Sequence, residues 1–478
     1  MNAAIVRLFA LTLVLFALLV AFTSRWTVFE AEGLRAERFN QPRQLIKDQR
    51  VRRGLIRAAD GTLLARSVAG GAGTFRRAYP PAARLAAHVV GYSYVARGRA
   101  SLEASRNAEL TGESTALTSV LDDLRGRAER GDDVITTLDL SAQRAALQAL
   151  GGRRGSVVAI EPRTGRVRVM ASVPGFDPAE LRDAARFRAL QRGEGSPLFN
   201  RATQSSYPPG STFKVVTAAA ALDGGGFRPD SIVDGSSPKT ISGVPLRNFG
   251  GRSFGPIDLT TALTNSVNTV WAQVAVRLGK ERMGEYMRRF GFYAKPPLDY
   301  PRAQLFASGE YRGATLLAPG SDRIDVGRMA IGQDKLQVTP LQMAMVASAV
   351  ANRGRLMKPT LTRRVVDPDG RTVEDVAPEE QAEVMSPTAA GRLRAMMENV
   401  VREGTGTQAA LAGIDVAGKT GTAEIIADQD LNQPWFIGFA PAGRPIAAVA
   451  VTVERVPGGQ GGTVAAPIAK AVLQELAG

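Results

Sequence analysis

The chain contains no cysteine. Thiolate nucleophiles, disulfide bridges and cysteine-ligated metals are therefore excluded, and the lack suits an exported protein. Histidine occurs once, as His88. A Ser-His-Asp triad would have to run through that residue, and His-clustered zinc or iron sites are excluded with it. His88 lies in the apolar stretch Ala86-Ala87-His88-Val89-Val90-Gly91, far upstream of every motif below, and reads as a packed residue. Lysine is also scarce, with nine in the chain, so a lysine inside a motif stands out. The net charge of +15 comes overwhelmingly from arginine spread along the chain. No basic and aromatic motif accompanies it, so it reads as a solvated surface, with no nucleic acid as partner.

What is present is ordinary for a globular protein of two or three domains: 478 residues, 44% hydrophobic and 22% charged. Residues 3–22 are apolar apart from Arg7 and Thr12. The uninterrupted part is short for a membrane span, but a snorkelling Arg7 brings it to roughly 20 residues. The exit Ala21-Phe22-Thr23-Ser24 is a poor cleavage site, so residues 1–24 read as an uncleaved signal-anchor. Arg25, Arg35, Arg38 and Arg43 follow the uninterrupted part and only Arg7 and the amino terminus precede it, a bias that by itself would keep the body in the cytoplasm.

Residues 25–135 read as a loop-rich, mixed module, with turn signals at Asp60-Gly61 and Tyr79-Pro80-Pro81. Residues 136–478 form a second domain. Helical periodicity over 140–150 is followed by a strand over 155–162, a turn at Thr164-Gly165, and a half-buried strand over 165–173. Near the far end, strands are expected over 434–440 and 445–453, then an amphipathic helix over 465–476. First and last elements thus combine into one antiparallel sheet flanked by terminal helices, with residues 180–400 largely helical between them. The fold class is α+β.

The chemistry concentrates in three short motifs. Ser211-Thr212-Phe213-Lys214 follows Pro208-Pro209-Gly210 and opens an Ala-rich helix former. Spacing of three places Lys214 beside Ser211 on one face. A serine hydroxyl needs a base, and lysine serves if burial and nearby positive charge lower its pKa. The helix N-terminus also favours negative charge developing at Ser211. Chance alone yields roughly half a Ser-x-x-Lys per chain of this length, so the motif needs company. Ser266-Val267-Asn268 lies between helical segments, and Lys419-Thr420-Gly421-Thr422 sits on an expected strand. A Lys-Thr-Gly triplet arises by chance in roughly one such chain in twenty, and all three motifs in this order make a strong signal.

These motifs, with Tyr207-Pro208-Pro209-Gly210, Gly332-Gln333, Val338-Thr339-Pro340, Ala351-Asn352-Arg353-Gly354 and Trp435-Phe436-Ile437-Gly438, closely resemble those of class B penicillin-binding proteins. Arg53-Gly54-Leu55-Ile56 with Asp60-Gly61-Thr62 is similar to that class's membrane-proximal signature. The resemblance covers nearly the whole chain. It departs at Arg57-Ala58-Ala59-Asp60, where an Asp-Arg pair is common, and at Ser101-Leu102-Glu103, where Gly-Leu-Glu is usual.

The resemblance implies a penicillin-binding, serine β-lactamase-like transpeptidase domain needing no cofactor and no metal. Ser211 would attack a D-Ala-D-Ala carbonyl, with Lys214 as base. Ser266 would relay a proton to the departing D-alanine, and Asn268 would hold the donor and position Lys214. Lys419 would supply positive potential, while Thr420, Gly421 and Thr422 would bind the substrate carboxylate. Backbone N–H groups of Ser211 and Thr422 would form the oxyanion hole. The implied partners are peptidoglycan stem peptides, β-lactam antibiotics, the membrane, a membrane glycan polymerase, and elongation or division proteins. The implied place is the cell membrane, single-pass, with the catalytic domain outside.

Two rivals share the nucleophile chemistry. A β-lactamase of class A needs a Glu-x-x-Leu-Asn loop, which is missing, and β-lactam sensors carry several spans where this chain shows one. A third is remote: Gly413-Ile414-Asp415-Val416-Ala417-Gly418-Lys419-Thr420 satisfies the P-loop pattern. A P-loop needs a helix after its threonine, whereas a strand is expected here, and Asp415 would put a carboxylate in an anion cradle.

Overall fold

The computed structural model describes residues 2–24, 45–46, 48–112, 130–224, 226–426 and 430–478. The amino-terminal apolar run forms helix α1 (Asn2–Ser24). Its segment Ile5–Thr23 is long and apolar enough to cross a membrane. Arg25, Arg35, Arg38 and Arg43, which entered the charge count, lie outside the described residues.

Strands β1 (Ile56–Arg57), β2 (Leu63–Gly71) and β3 (Thr74–Ala78) form a meander. The Asp60-Gly61 signal is a true turn: the Thr62 N–H donates to Asp60 Oδ1 at 2.9 Å and Gly61 has φ +88°. Beneath the meander a carboxylate is fully buried. Glu103 accepts from Arg53 at 3.0 Å, from Arg77 at 2.5 Å and from the Tyr79 hydroxyl at 3.1 Å. Arg53 of the upstream signature and Glu103 of the Ser101-Leu102-Glu103 stretch are thus partners in one ion network. His88 is buried as expected, with Nε2 donating to the Pro197 carbonyl at 2.8 Å and the ring edge-on to Phe176. Burial lowers its pKa to about 4.

Strand β4 (Asp133–Thr136) pairs in parallel with β1 and leads into α2 (Leu140–Leu150), whose first N–H groups are capped by Asp139 and whose end is Gly151 in the left-handed region. Strands β5 (Gly155–Ile160) and β6 (Val167–Val173) follow. Three helices then matter for the site: α3 (Lys214–Leu222), α4 (Asn268–Arg289) and α5 (Pro340–Ala351). Strands β7 (Thr362–Val366) and β8 (Thr372–Asp375) return to the amino-terminal sheet, whose order is β8-β7-β4-β1-β2-β3. The chain ends with β9 (Ala417–Ile426), β10 (Leu431–Ala440), β11 (Ala447–Val453) and α6 (Ala466–Ala477).

First and last strands combine as expected, in the antiparallel order β9-β10-β11-β5-β6. Both faces of this sheet are covered. Val157, Val449 and Val451 pack with Leu150 and Val472 of the terminal helices, while Val158, Ala448 and Ala450 join the core around α5. Strand β11 is therefore buried at every position, and β6 is buried more completely than the half-buried strand expected from its arginines. Arg168 escapes by pairing with Asp139 at 2.8 Å.

Residues 180–400 are less uniformly helical than the sequence suggests. Short ladders such as Ile232–Asp234 with Pro256–Asp258 and Lys239–Ile241 with Val244–Leu246 interrupt the helices. Strands of three residues are too short to leave a periodic signature.

Candidate active site

Ser211 sits in the tight turn Gly210–Phe213 that leads into α3, and the Lys214 N–H closes that turn on the Ser211 carbonyl. Gly210 has φ +53° and its N–H donates to the Gly332 carbonyl at 3.0 Å. Gly332, at φ +77°, lies so close that any Cβ there would run into the Gly210 carbonyl. On the other side, a Cβ on Gly421 would stand 2.7 Å from the Pro209 carbonyl and 3.1 Å from the Thr212 nitrogen. The glycine of Lys-Thr-Gly is thus required by the close passage of β9 beside the nucleophile turn. Upstream, the Trp435 indole N–H holds the Pro208 carbonyl at 3.0 Å, and the Tyr207 hydroxyl bonds Glu454 at 2.5 Å.

The motif side chains converge. Lys214 Nζ lies 2.6 Å from the Ser266 carbonyl, 3.1 Å from Ser266 Oγ and 2.7 Å from Asn268 Oδ1. Lys419 Nζ donates to the same Ser266 Oγ and to the Thr420 carbonyl, both at 2.9 Å. Both lysines are fully buried. Burial, and then the positive charge of Lys419, push the Lys214 amine well below its ordinary value. Burial alone brings Lys419 to about 7. A neutral Lys214 has two N–H groups, and the Ser266 and Asn268 carbonyl oxygens use both, leaving a lone pair free to accept a proton. Ser266 itself has φ +58°, an uncommon conformation for serine that turns its hydroxyl between the two amines. Asn268 is held in turn, since its Nδ2 donates to the Arg247 carbonyl at 3.0 Å.

Ser211 is half-buried, and its hydroxyl has no hydrogen-bond partner among the described residues. Thr420 and Thr422 lie on β9, the edge strand beside the turn. The Thr422 hydroxyl accepts from the Gly461 N–H at 3.1 Å, and the Thr420 hydroxyl pairs with that of Thr405 at 2.6 Å. Thr405 is a site residue that the sequence motifs do not include. It ties two motif carriers together, because its N–H also donates to Thr264 just before Ser266, at 3.3 Å. The available signal is the run Gly404-Thr405-Gly406-Thr407, whose small residues permit that approach; a Cβ on Gly404 would stand 2.5 Å from the Thr264 carbonyl oxygen and 3.0 Å from the Val400 Cα. The P-loop reading fails here: Lys419 and Thr420 lie inside a strand that runs on to Ile426, with no helix to receive a phosphate.

A serine on a helix-leading turn, two depressed lysines and a bridging Ser-x-Asn beside an edge strand define an acyl-serine transferase. The chain belongs to the penicillin-binding protein transpeptidase family, whose domain model matches residues 155–474; a model of the penicillin binding protein A dimerisation domain matches residues 53–134. Its relatives place it among the class B proteins, as the motifs led one to expect. It is 37% identical to the peptidoglycan D,D-transpeptidase PbpA of Mycolicibacterium smegmatis, over 99% of this chain and 98% of that protein. The PbpA of Mycobacterium tuberculosis is 34% identical over 99% of both chains. A solved structure of penicillin-binding protein A from M. tuberculosis, as a ceftriaxone acyl-enzyme complex, superposes with a TM-score of 0.82 at 32% identity, covering 91% of this chain and all of that one.

Proposed function

We propose that this chain is a peptidoglycan D,D-transpeptidase that works through an ester on Ser211. The observation that carries the reading is the convergence of Lys214, Ser266, Asn268 and Lys419 next to the turn of Ser211, whose hydroxyl has no partner among the described residues. Ser211 Oγ attacks the carbonyl carbon of the penultimate D-alanine while the Lys214 lone pair takes its proton. The oxyanion is received by the N–H groups of Ser211 and Thr422. Thr422 stands opposite Pro434, which has no N–H, and the Pro434 carbonyl accepts from the Thr452 hydroxyl on the far side at 3.1 Å. That pairing supports a Thr422 N–H left off the ladder and available to the substrate.

Collapse expels the terminal D-alanine, whose amine takes its proton through Ser266. An amine of a neighbouring strand then attacks the ester, releasing Ser211 Oγ to recover a proton and leaving a new peptide bond. Lys419, Thr420, Gly421 and Thr422 bind the donor carboxylate, and Asn268 holds the donor backbone. A β-lactam imitates the donor and traps Ser211.

The domain division follows the same reading: anchor 1–24, non-catalytic module 25–135, catalytic domain 136–478, with β7 and β8 lent back to the module's sheet. Among the described residues one helix is long and apolar enough to span a membrane, which supports anchoring; a catalytic domain outside, beside a glycan polymerase and elongation or division proteins, follows from the transpeptidase reading alone. Failure to recover any such polymerase after in-cell cross-linking would count against that partnership. The central test is incubation with fluorescent penicillin followed by peptide mass spectrometry. A stoichiometric, slowly hydrolysed adduct on Ser211, absent in Ser211→Ala, is expected; rapid drug turnover would make the chain a β-lactamase instead.

A further inference from the structure

A cavity of about 520 Å³ opens close to the nucleophile turn and has no place in the chemistry above. Its apolar wall is Phe306 and Tyr311, stacked with ring centroids 5.0 Å apart and planes inclined by 28°. Ser206, Asp334, Lys335 and Gln337 add hydroxyl, carboxylate, ammonium and amide groups, and the small residues Gly313 and Ala314 complete the lining. Asp334 and Lys335 bond each other at 2.9 Å, so the site carries both hydrogen-bonding signs and no net charge. We propose that this cavity is a carbohydrate subsite that takes one N-acetylated pyranose of the glycan strand, a proposal that rests on the transpeptidase reading above.

The chemistry favours a sugar over the alternatives. A pyranose has an apolar face for an aromatic wall and a rim of hydroxyls and an acetamide for mixed donors and acceptors. A phosphate or a carboxylate-rich peptide would need net positive charge, and the Asp334–Lys335 pair cancels it. The volume suits one sugar with room for part of its neighbour.

Position supports the same occupant. Ser206 lines the cavity and Ser211 follows five residues later. Five residues span at most about 17 Å even when extended, a gap that a stem peptide on the bound sugar can cross to reach Ser211. The walls are also continuous with the nucleophile's supports. Gln337 precedes Val338, which bonds Tyr207 in both directions at 3.0 and 2.8 Å, and Asp334 lies two residues beyond Gly332, whose carbonyl holds Gly210. A sugar seated there would brace the segment that presents Ser211.

The test uses the full chain in detergent and the N-acetylated disaccharide of the glycan repeat without any stem peptide, observed by saturation-transfer NMR. Saturation of pyranose and acetyl protons is expected in the wild type and equally in Ser211→Ala. It should fall at least tenfold in Tyr311→Ala and in Ala314→Trp, the second of which fills the cavity without removing a wall. No transfer to the wild type, or transfer unchanged in both cavity variants, would overturn the proposal. Penicillin labelling of the same samples reports separately on Ser211. Variants that label at the wild-type rate are folded and support a distinct subsite, whereas loss of labelling in both would show that the cavity is only structural. A wild type that binds the sugar but never labels would sink the transpeptidase reading and not the subsite.

Discussion

Two buried lysines make the site sensitive to pH. Each is charged in the unfolded chain up to about pH 10, yet in the fold Lys419 releases its proton near pH 7 and Lys214 also well below its ordinary value. Between roughly pH 7 and 10 the unfolded chain therefore holds more protons, and stability rises with pH across that window. Below it, the buried ammonium is carried at a cost of about 1.4 kcal/mol for every tenfold loss of proton affinity on folding. Lys419→Met should accordingly raise Tm at pH 7 by several degrees, with the gain shrinking toward pH 10, in calorimetry over a pH series. The same variant should lose penicillin acylation by about 100-fold or more, since a preorganised charge at the carboxylate and oxyanion is gone. Acylation of the wild type should weaken as pH falls, because a protonated Lys214 has no lone pair to offer; a rate that rises toward acid would remove Lys214 as the base. Every one of these residues is legible in the sequence motifs. Thr405 is not, because a threonine in a small-residue run looks like a turn until its two partners are known.

At the scale of elements, the site exists because β9 slides past the nucleophile turn without a side chain between them. Gly421→Ala would put a methyl against the Pro209 carbonyl, and Gly332→Ala would drive one into Gly210 from a backbone already at φ +77°. We expect Gly332→Ala to cost about 2–4 kcal/mol by strain and displacement, and Gly421→Ala to slow penicillin acylation at least tenfold with a smaller loss of stability. Paired denaturation and stopped-flow labelling separate the two effects; equal losses in both variants would contradict this division. Helix α2 and the paired terminal strands are legible because their periodicity is local and their caps, Asp139 and Gly151, are adjacent in sequence. Strand β10 begins at Leu431, ahead of the start expected at Pro434. The proline looks like a boundary, whereas it occupies a strand position whose partner Thr422 needs no donor.

For the whole molecule, the amino-terminal module and the catalytic part share a sheet. Strand β7, from the middle of the catalytic sequence, pairs with β4 and carries β8 on its outer edge, and Arg106 bonds Glu374 and Thr362 across the same junction. The Arg53–Glu103–Arg77 network lies behind that sheet. Burial opposes ionisation of Glu103, but the two arginines hold its carboxyl below the usual range. Glu103→Gln leaves two guanidinium groups short of a counter-ion and should cost about 3–5 kcal/mol in chemical denaturation. Because the sheet is shared, the loss should appear in one transition for both parts; a separate early transition with the catalytic part unaffected would mean that they fold apart.

The sequence by itself carried the motifs and their order: a Ser-x-x-Lys with one distant histidine, a Ser-x-Asn and a Lys-Thr-Gly on an expected strand, behind one apolar segment. It also determined which strands open and close the catalytic sheet, since alternation, turns and caps act over a few residues. Only the tertiary structure decided that Ser266 stands between Lys214 and Lys419, that burial makes both amines hold their protons less tightly, and that residues 362–375 complete the amino-terminal sheet. Those outcomes depend on contacts between residues 52 to 256 positions apart, as in the bonds of Lys214 to Ser266 and Arg106 to Thr362. No local periodicity carries such information, because desolvation and long-range pairing are properties of the packed whole.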